Sequence, residues 1–90
     1  MNHKECFAQI ESNYLLIRSA RQELADLKKE KAVKRTNAWL EANGTAKEKE
    51  DFVKAAVADF DKEIKYKEAN IEYMYNMVDL LTNKMVYIDE

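Results

Sequence analysis

The sequence predicts an all-α protein: a long antiparallel helical hairpin of the coiled-coil kind that assembles into a helical bundle as a dimer or higher oligomer. The 90-residue chain has no proline and a single glycine, so helix breakers are missing except at one central point. Hydrophobic residues make up 47% and charged residues 36%, which is typical of long amphipathic helices. We therefore expect one domain over 1–90, with a helix at about 4–42, a turn at 43–45 and a helix at about 46–87.

The second half carries the clearest periodic pattern. Apolar residues recur at alternating spacings of four and three, which predicts a helix that lays one seam along another helix. Lys67 interrupts this row and falls opposite Arg21, so either a carboxylate from Glu23, Glu63 or Glu68 neutralises the pair or the pair faces solvent. The favoured interpretation is a polar interruption that fixes the register of the two helices. The row consists of Val53, Val57, Phe60, Ile64, Lys67, Ile71, Met74, Val78, Leu81, Met85 and Ile88.

Two further features of the second half leave structural questions open. A second row, offset by one residue, contains Tyr66, Tyr73, Met77, Leu80 and Tyr87. A face this broad requires more than one neighbouring helix, so these five residues are the predicted oligomer interface. Asp59 and Asp61 have poor helix propensity, and a break near 59–61 would give three helices instead of two.

The first half shows the same alternation and then loses it. Continuing the row beyond Lys28 would place Lys31 and Lys34 in the core. We therefore predict a bend near Lys28 and a stripe shifted to Ala32, Val33, Thr36, Trp39 and Leu40. The row up to that point comprises Cys6, Ile10, Asn13, Ile17, Ala20, Leu24 and Leu27, thickened by Phe7, Tyr14 and Leu16.

The turn is predicted from three residues. Gly44 suits a left-handed helix end at the C′ position, and Thr45 with Glu48 forms a capping box for the next helix. Folding about Gly44 brings Ile17 near Ile71. Trp39, just before the turn, either closes the end of the hairpin or is presented to a partner.

The sequence contains no set of groups suited to catalysis or to cofactor binding. One histidine, His3, and one cysteine, Cys6, form neither a disulfide nor a zinc site within a single chain. His3 is expected to be exposed, and Cys6 to be a small core residue. Because no signal peptide or membrane span is visible, we expect a cytoplasmic protein with no membrane partner. The lack of catalytic groups predicts that it is not an enzyme.

The densest basic segment is a candidate contact site for a partner protein or for nucleic acid. Clustered lysine and arginine bind phosphates in a salt-sensitive way. The acidic second half lies alongside, so nucleic acid is not favoured, and a solvated helix face is the plainest interpretation. The residues concerned are Lys28, Lys29, Lys31, Lys34 and Arg35.

The run AWLEANGTAKEKE at 38–50, followed by a charged helix ending in aromatic residues and leucines, resembles a group of small helical proteins encoded by phages and prophages. Their genes often lie near those of recombination and single-strand annealing proteins. The resemblance covers about residues 30–85, with Lys49 where the group has arginine. It implies an accessory protein that works in the cytoplasm of a bacterial host cell and binds another phage or host protein in DNA recombination or replication. One alternative is a counter-defence inhibitor that blocks a host defence protein or sequesters a signalling nucleotide, and another is a weak nucleic-acid binder.

Overall fold

The computed structural model describes residues 2–87 and confirms the all-α hairpin. Helix α1 spans His3–Glu41, α2 spans Ala46–Ala56 and α3 spans Ala58–Val86. The chain measures 69 × 17 × 13 Å, and its radius of gyration of 20.0 Å far exceeds the roughly 12 Å expected for a compact domain of this length. The protein is therefore a rod two helices wide.

Side-chain caps and one glycine define where the first two helices begin and how the turn is made. Asn2 caps α1 by accepting a hydrogen bond from the Glu5 N–H at 2.9 Å. Thr45 caps α2, since its hydroxyl accepts from the Glu48 N–H at 3.2 Å and lies 3.3 Å from a Glu48 carboxylate oxygen. Gly44 has φ 106°, but it lies two residues beyond the C-cap Ala42 and is not the C′ residue that we predicted.

The second arm is interrupted at one residue, so it contains two helices. Val57 has φ −104° and ψ 6° and separates α2 from α3. Its N–H still bonds to the Val53 carbonyl, and its carbonyl accepts from the Asp61 N–H, each at 3.1 Å. The interruption thus precedes the 59–61 segment, and Asp59 and Asp61 lie in the first turn of α3, where carboxylates interact favourably with the helix dipole.

The two predicted rows meet along the hairpin and form its core. Ile17, Ala20, Ile71 and Val78 form a buried cluster against which Ile10, Leu24 and Met74 pack, so Ile17 and Ile71 do share one cluster. Cys6 is fully buried. Ile88, the last member of the predicted row, lies outside the described residues. The remaining buried apolar residues are Ala38, Ala42, Val53, Val57, Ile64 and Leu81.

The predicted shift of the α1 stripe after Lys28 is wrong. Ala38 is 5% exposed and continues the original row, whereas Leu40 in the predicted shifted stripe is 76% exposed. Lys31 occupies the seam because its aliphatic stem packs there while its ammonium group reaches Asp61 at 2.5 Å. Lys67, the other lysine in the seam, likewise forms an ion pair across the hairpin, with Glu23 of α1.

Candidate interaction surface

The hairpin has two broad faces, one on either side of the buried seam. Near the turn, Val33 and Asn37 of α1 line one groove together with Phe52 and Ala56 of α2, so the rows that contain these residues lie on the same face. On the opposite face, Arg21 of α1 donates a hydrogen bond to the Tyr75 hydroxyl of α3 at 3.3 Å. These contacts define the side on which each row lies.

The first face carries no charged residue between Gln9 and Ser19 on α1 or between Tyr66 and Leu80 on α3. We call it the uncharged face. It consists of Gln9, Ser12, Leu16 and Ser19 on α1 and Tyr66, Asn70, Tyr73, Met77 and Leu80 on α3. With 36% of the whole chain charged, a continuous face without charge is unusual. Depletion of charge is the compositional mark of interface cores.

The second face, over the same length of rod, carries the charges. We call it the charged face. Its apolar side chains, Phe7, Tyr14 and Tyr75, line shallow pockets together with the ionised side chains of this face. Those groups are Glu11, Arg18 and Arg21 on α1 and Glu68, Glu72 and Asp79 on α3.

Four of the five residues predicted for an oligomer interface form one exposed row at a spacing of seven. Tyr66, Tyr73, Leu80 and Tyr87 expose between 63% and 86% of their surface, and Met77 beside them is half-buried. Of the α1 residues expected to thicken the core, Leu16 lies on the uncharged face, and Phe7 and Tyr14 on the charged one. All three are exposed. The hairpin alone therefore covers only the seam.

Toward the turn, the rows of the uncharged face continue into an open groove, which we call the turn-end groove. Its apolar floor is formed by Val33, Phe52, Ala56 and Phe60, with Phe52 48% exposed. Acidic and basic residues alternate around its rim, namely Asp26, Lys29, Glu30, Lys34 and Glu41. The groove thus combines an apolar floor with a rim that carries charges of both signs.

Trp39 lies beside the turn on the other side of the rod. Its ring is 45% exposed and carries the Lys49 ammonium group at 5.4 Å from its centroid. It also lines a shallow cleft with Val53 and Lys54. Trp39 thus packs against the second arm while it keeps much of its ring in solvent.

The basic segment predicted as a contact site does not form one surface. Lys29 and Lys34 line the turn-end groove, whereas Lys31 and Arg35 line the cleft on the other side of the rod. Lys31 is further occupied by its ion pair with Asp61. Lys28 is exposed, and its spacing of seven from Arg21 and Arg35 places it on the side of the charged face.

The histidine and the cysteine are both engaged in the fold. The Nε2 atom of His3 lies 2.9 Å from the Met85 carbonyl oxygen and so ties the start of α1 to the last turn of α3. The expectation that His3 is simply exposed is therefore wrong. Within residues 2–87, no cluster of three or more His, Cys, Asp or Glu side chains could hold a metal ion, and none of the helices has a stretch that is apolar over enough length to cross a bilayer.

The chain matches no protein-family model, no curated protein and no solved structure.

Proposed function

We propose that this chain is a non-enzymatic accessory protein that acts by binding other proteins in the host cytoplasm, with DNA recombination or replication as its setting. The observation that carries the proposal is the exposure of large apolar side chains along the rod, from Leu40 and Phe52 near the turn to Tyr66, Tyr73 and Leu80. The resemblance of residues 30–85 to phage and prophage accessory proteins supplies the setting.

The total exposed surface supports a role in association. The chain exposes 7142 Å², which is about 30% more than expected for a compact monomer of 10.6 kDa. Exposed apolar patches of several hundred Å² mark association sites on soluble proteins. Contact with another protein would remove such patches from water at little structural cost, because the helices are already formed.

The distribution of charge supports a protein partner over nucleic acid. Lys29 and Lys34 lie on one side of the rod and Lys31 and Arg35 on the other, so they cannot track one phosphate backbone together. Asp61 neutralises Lys31. A partner helix with apolar side chains and charges of both signs suits the turn-end groove better, since the floor is apolar and the rim is mixed.

The test is affinity capture of the tagged protein from lysate of cells that naturally produce it, with and without nuclease. We expect a recombination or replication protein to be retained after nuclease treatment, and to be lost when Phe52→Glu places a charge on the groove floor. Phe7→Glu is the matched control, because Phe7 is a similarly exposed phenylalanine outside the groove. Retention should then be measured again with the purified partner.

The outcomes separate the hypotheses of the sequence analysis. Loss of every retained protein after nuclease would contradict the proposal and favour nucleic-acid binding. Retention of a defence nuclease, or of a small nucleotide, would favour the inhibitor. Equal losses with Phe52→Glu and Phe7→Glu would exclude the turn-end groove as the contact site.

A further inference from the structure

The geometry points to a second copy of this chain as the occupant of the uncharged face, with α3 packed antiparallel on α3 of the other copy. The inference deepens the proposed function because it names one partner, but it concerns a different part of the rod from the turn-end groove. The dimer would be a four-helix bundle over the half of each hairpin distant from the turn, with the two turns at opposite ends.

The absence of charge makes the uncharged face compatible with itself. In a two-fold dimer every residue of a face meets the same face of the other copy, so any unpaired charge would meet a like charge or be buried without a partner. Every charged residue between positions 66 and 83 lies off this face, namely Lys67, Glu68, Glu72 and Asp79. On α1, the charges between positions 8 and 22 are Glu11, Arg18 and Arg21, and they lie on the charged face. Glu5 and Glu23 bound the α1 row of the uncharged face at its two ends, and Glu23 is paired with Lys67.

The residues of the uncharged face also determine which helix meets which. The α1 contribution is polar apart from Leu16, whereas α3 supplies Tyr66, Tyr73, Met77 and Leu80. If the two-fold axis of the dimer ran parallel to the rod, α3 of one copy would pack on α1 of the other. The tyrosines of α3 would then contact the serines of α1. An axis across the rod stacks α3 on α3 and matches apolar with apolar, so the second arrangement buries more apolar surface.

Charges at the two ends of the row favour antiparallel α3 helices. In the row of Asn70 and Met77, the next members outward are Glu63 and Lys84. Parallel pairing would set Glu63 against Glu63 and Lys84 against Lys84. Antiparallel pairing with Tyr73 opposite Met77 sets Glu63 within about one helical turn of Lys84 from the other copy, where opposite charges attract.

The available area is sufficient for a stable dimer. The row from Glu63 to Lys84, which includes the charges that bound the uncharged face, spans about 32 Å, and two adjacent helices are about 20 Å wide, which gives a footprint of roughly 600 Å². Protruding tyrosine and leucine side chains add accessible surface to this footprint. The area therefore approaches the value for one partner of a standard interface, about 800 Å². The hairpin alone buries only a single seam, so association would also protect apolar groups that are now exposed.

The first experiment is the mass of the purified protein by sedimentation equilibrium, together with helicity by circular dichroism. We expect twice the chain mass of 10.6 kDa at micromolar concentration. Tyr73→Glu should weaken the dimer at least tenfold while Tyr75→Glu should not, although the two tyrosines are two residues apart on the same helix. A wild-type protein that remains monomeric at 200 µM, or equal weakening by both variants, would overturn the proposal.

A second measurement tests the arrangement without altering the uncharged face. Spin labels are placed singly at Asn76→Cys or Lys62→Cys, both on the outer edge of α3, in a Cys6→Ala background. In the antiparallel dimer the two-fold axis passes near position 75 of α3. The distance between the labels of the two copies should grow by about 3 Å for each residue away from this axis, so it should be short at position 76 and about 40 Å at position 62. Equal distances at both positions would exclude the arrangement, even if Tyr73→Glu fails to fold.

Solution scattering provides an independent check of how far the two rods overlap in the dimer. Two rods of 69 Å that share only the halves distant from their turns would extend to about 100 Å, given 1.5 Å per residue. A dimer no longer than one chain would contradict the staggered arrangement. Because these experiments use purified protein alone, a monomeric result leaves the capture experiment intact, and a failed capture leaves the dimer intact.

Discussion

The uncharged and charged faces of this hairpin are built from the same two helices and flank the same seam, yet they differ in the feature that governs association. Both carry exposed aromatic side chains, Tyr73 on one and Tyr75 on the other. On the charged face Tyr75 accepts a hydrogen bond from Arg21, and Glu68, Glu72 and Asp79 follow the same side of α3. Exposed aromatic area alone therefore does not identify an interface, because neighbouring charges decide how costly it is to remove the face from water.

The largest expected effect comes from the seam that the two faces share. Ile71→Ala removes buried methyl groups from the Ile17, Ala20 and Val78 cluster and should lower the free energy of unfolding by about 2–4 kcal/mol. Denaturant unfolding followed by circular dichroism measures it. Val86→Ala, at an exposed position, should change stability by less than about 0.5 kcal/mol. A small effect of Ile71→Ala would show that the surfaces and not the seam hold the hairpin together.

The next prediction compares the two faces on α1 instead of α3. Leu16 lies on the uncharged face and Tyr14 on the charged face, and both are about half exposed. Leu16→Glu should raise the dimer dissociation constant about tenfold or more, equivalent to about 1.4 kcal/mol, because it introduces a charge that must be buried on association. Tyr14→Glu should leave it within about twofold. Sedimentation equilibrium of both variants at matched concentrations measures the two dissociation constants. A larger increase for Tyr14→Glu than for Leu16→Glu would contradict the assignment of the two faces.

A smaller effect is expected at the turn, where both rows of each face reverse direction. Gly44 has φ 106°, and a Cβ at this position would collide with the Glu48 carboxylate. Gly44→Ala should therefore destabilise the hairpin by about 1–2 kcal/mol without favouring either face. Thermal unfolding of this variant beside Asn43→Ala, which replaces a residue outside the helices, provides the comparison. Equal melting temperatures for the two variants would argue against a strained turn.

The smallest effects should come from single polar contacts at the edges of the two faces. Glu23→Gln removes the ion pair with Lys67, whose side chain is about one third exposed, and Tyr75→Phe removes the acceptor for Arg21. Each should cost less than about 1 kcal/mol. The cost of Glu23→Gln should shrink when the sodium chloride concentration rises to 1 M, while that of Tyr75→Phe should not. Salt-independent losses in both would contradict an electrostatic role for Glu23.

Some of the candidate surface was predictable from the sequence, and the missing part has a clear physical cause. The row containing Tyr66, Tyr73 and Leu80 follows from spacing along one helix. The row on α1 that shares this face contains Leu16 between Ser12 and Ser19. The sequence did not separate Leu16 from Phe7 and Tyr14, because the pattern of one helix does not show which of its two sides lies on the same face as a given side of the neighbouring helix. The position of Lys31 was predicted wrongly for a related reason. Lys31 looked incompatible with the core until Asp61, thirty residues away in sequence, lay next to it.

The sequence by itself determined the two helical arms, the single turn and the apolar seam up to Leu27 on the first arm and along the second. These depend on local propensity and on periodicity, which are properties of consecutive residues: no proline, one glycine, and apolar groups at spacings of four and three. Only the tertiary structure decided that the α1 seam runs on through Lys31 to Ala38, that His3 bonds to the Met85 carbonyl, and that the row of Leu16 shares a face with the row of Tyr73. These features depend on the register between two antiparallel helices, and register is set by contacts between residues far apart in the chain.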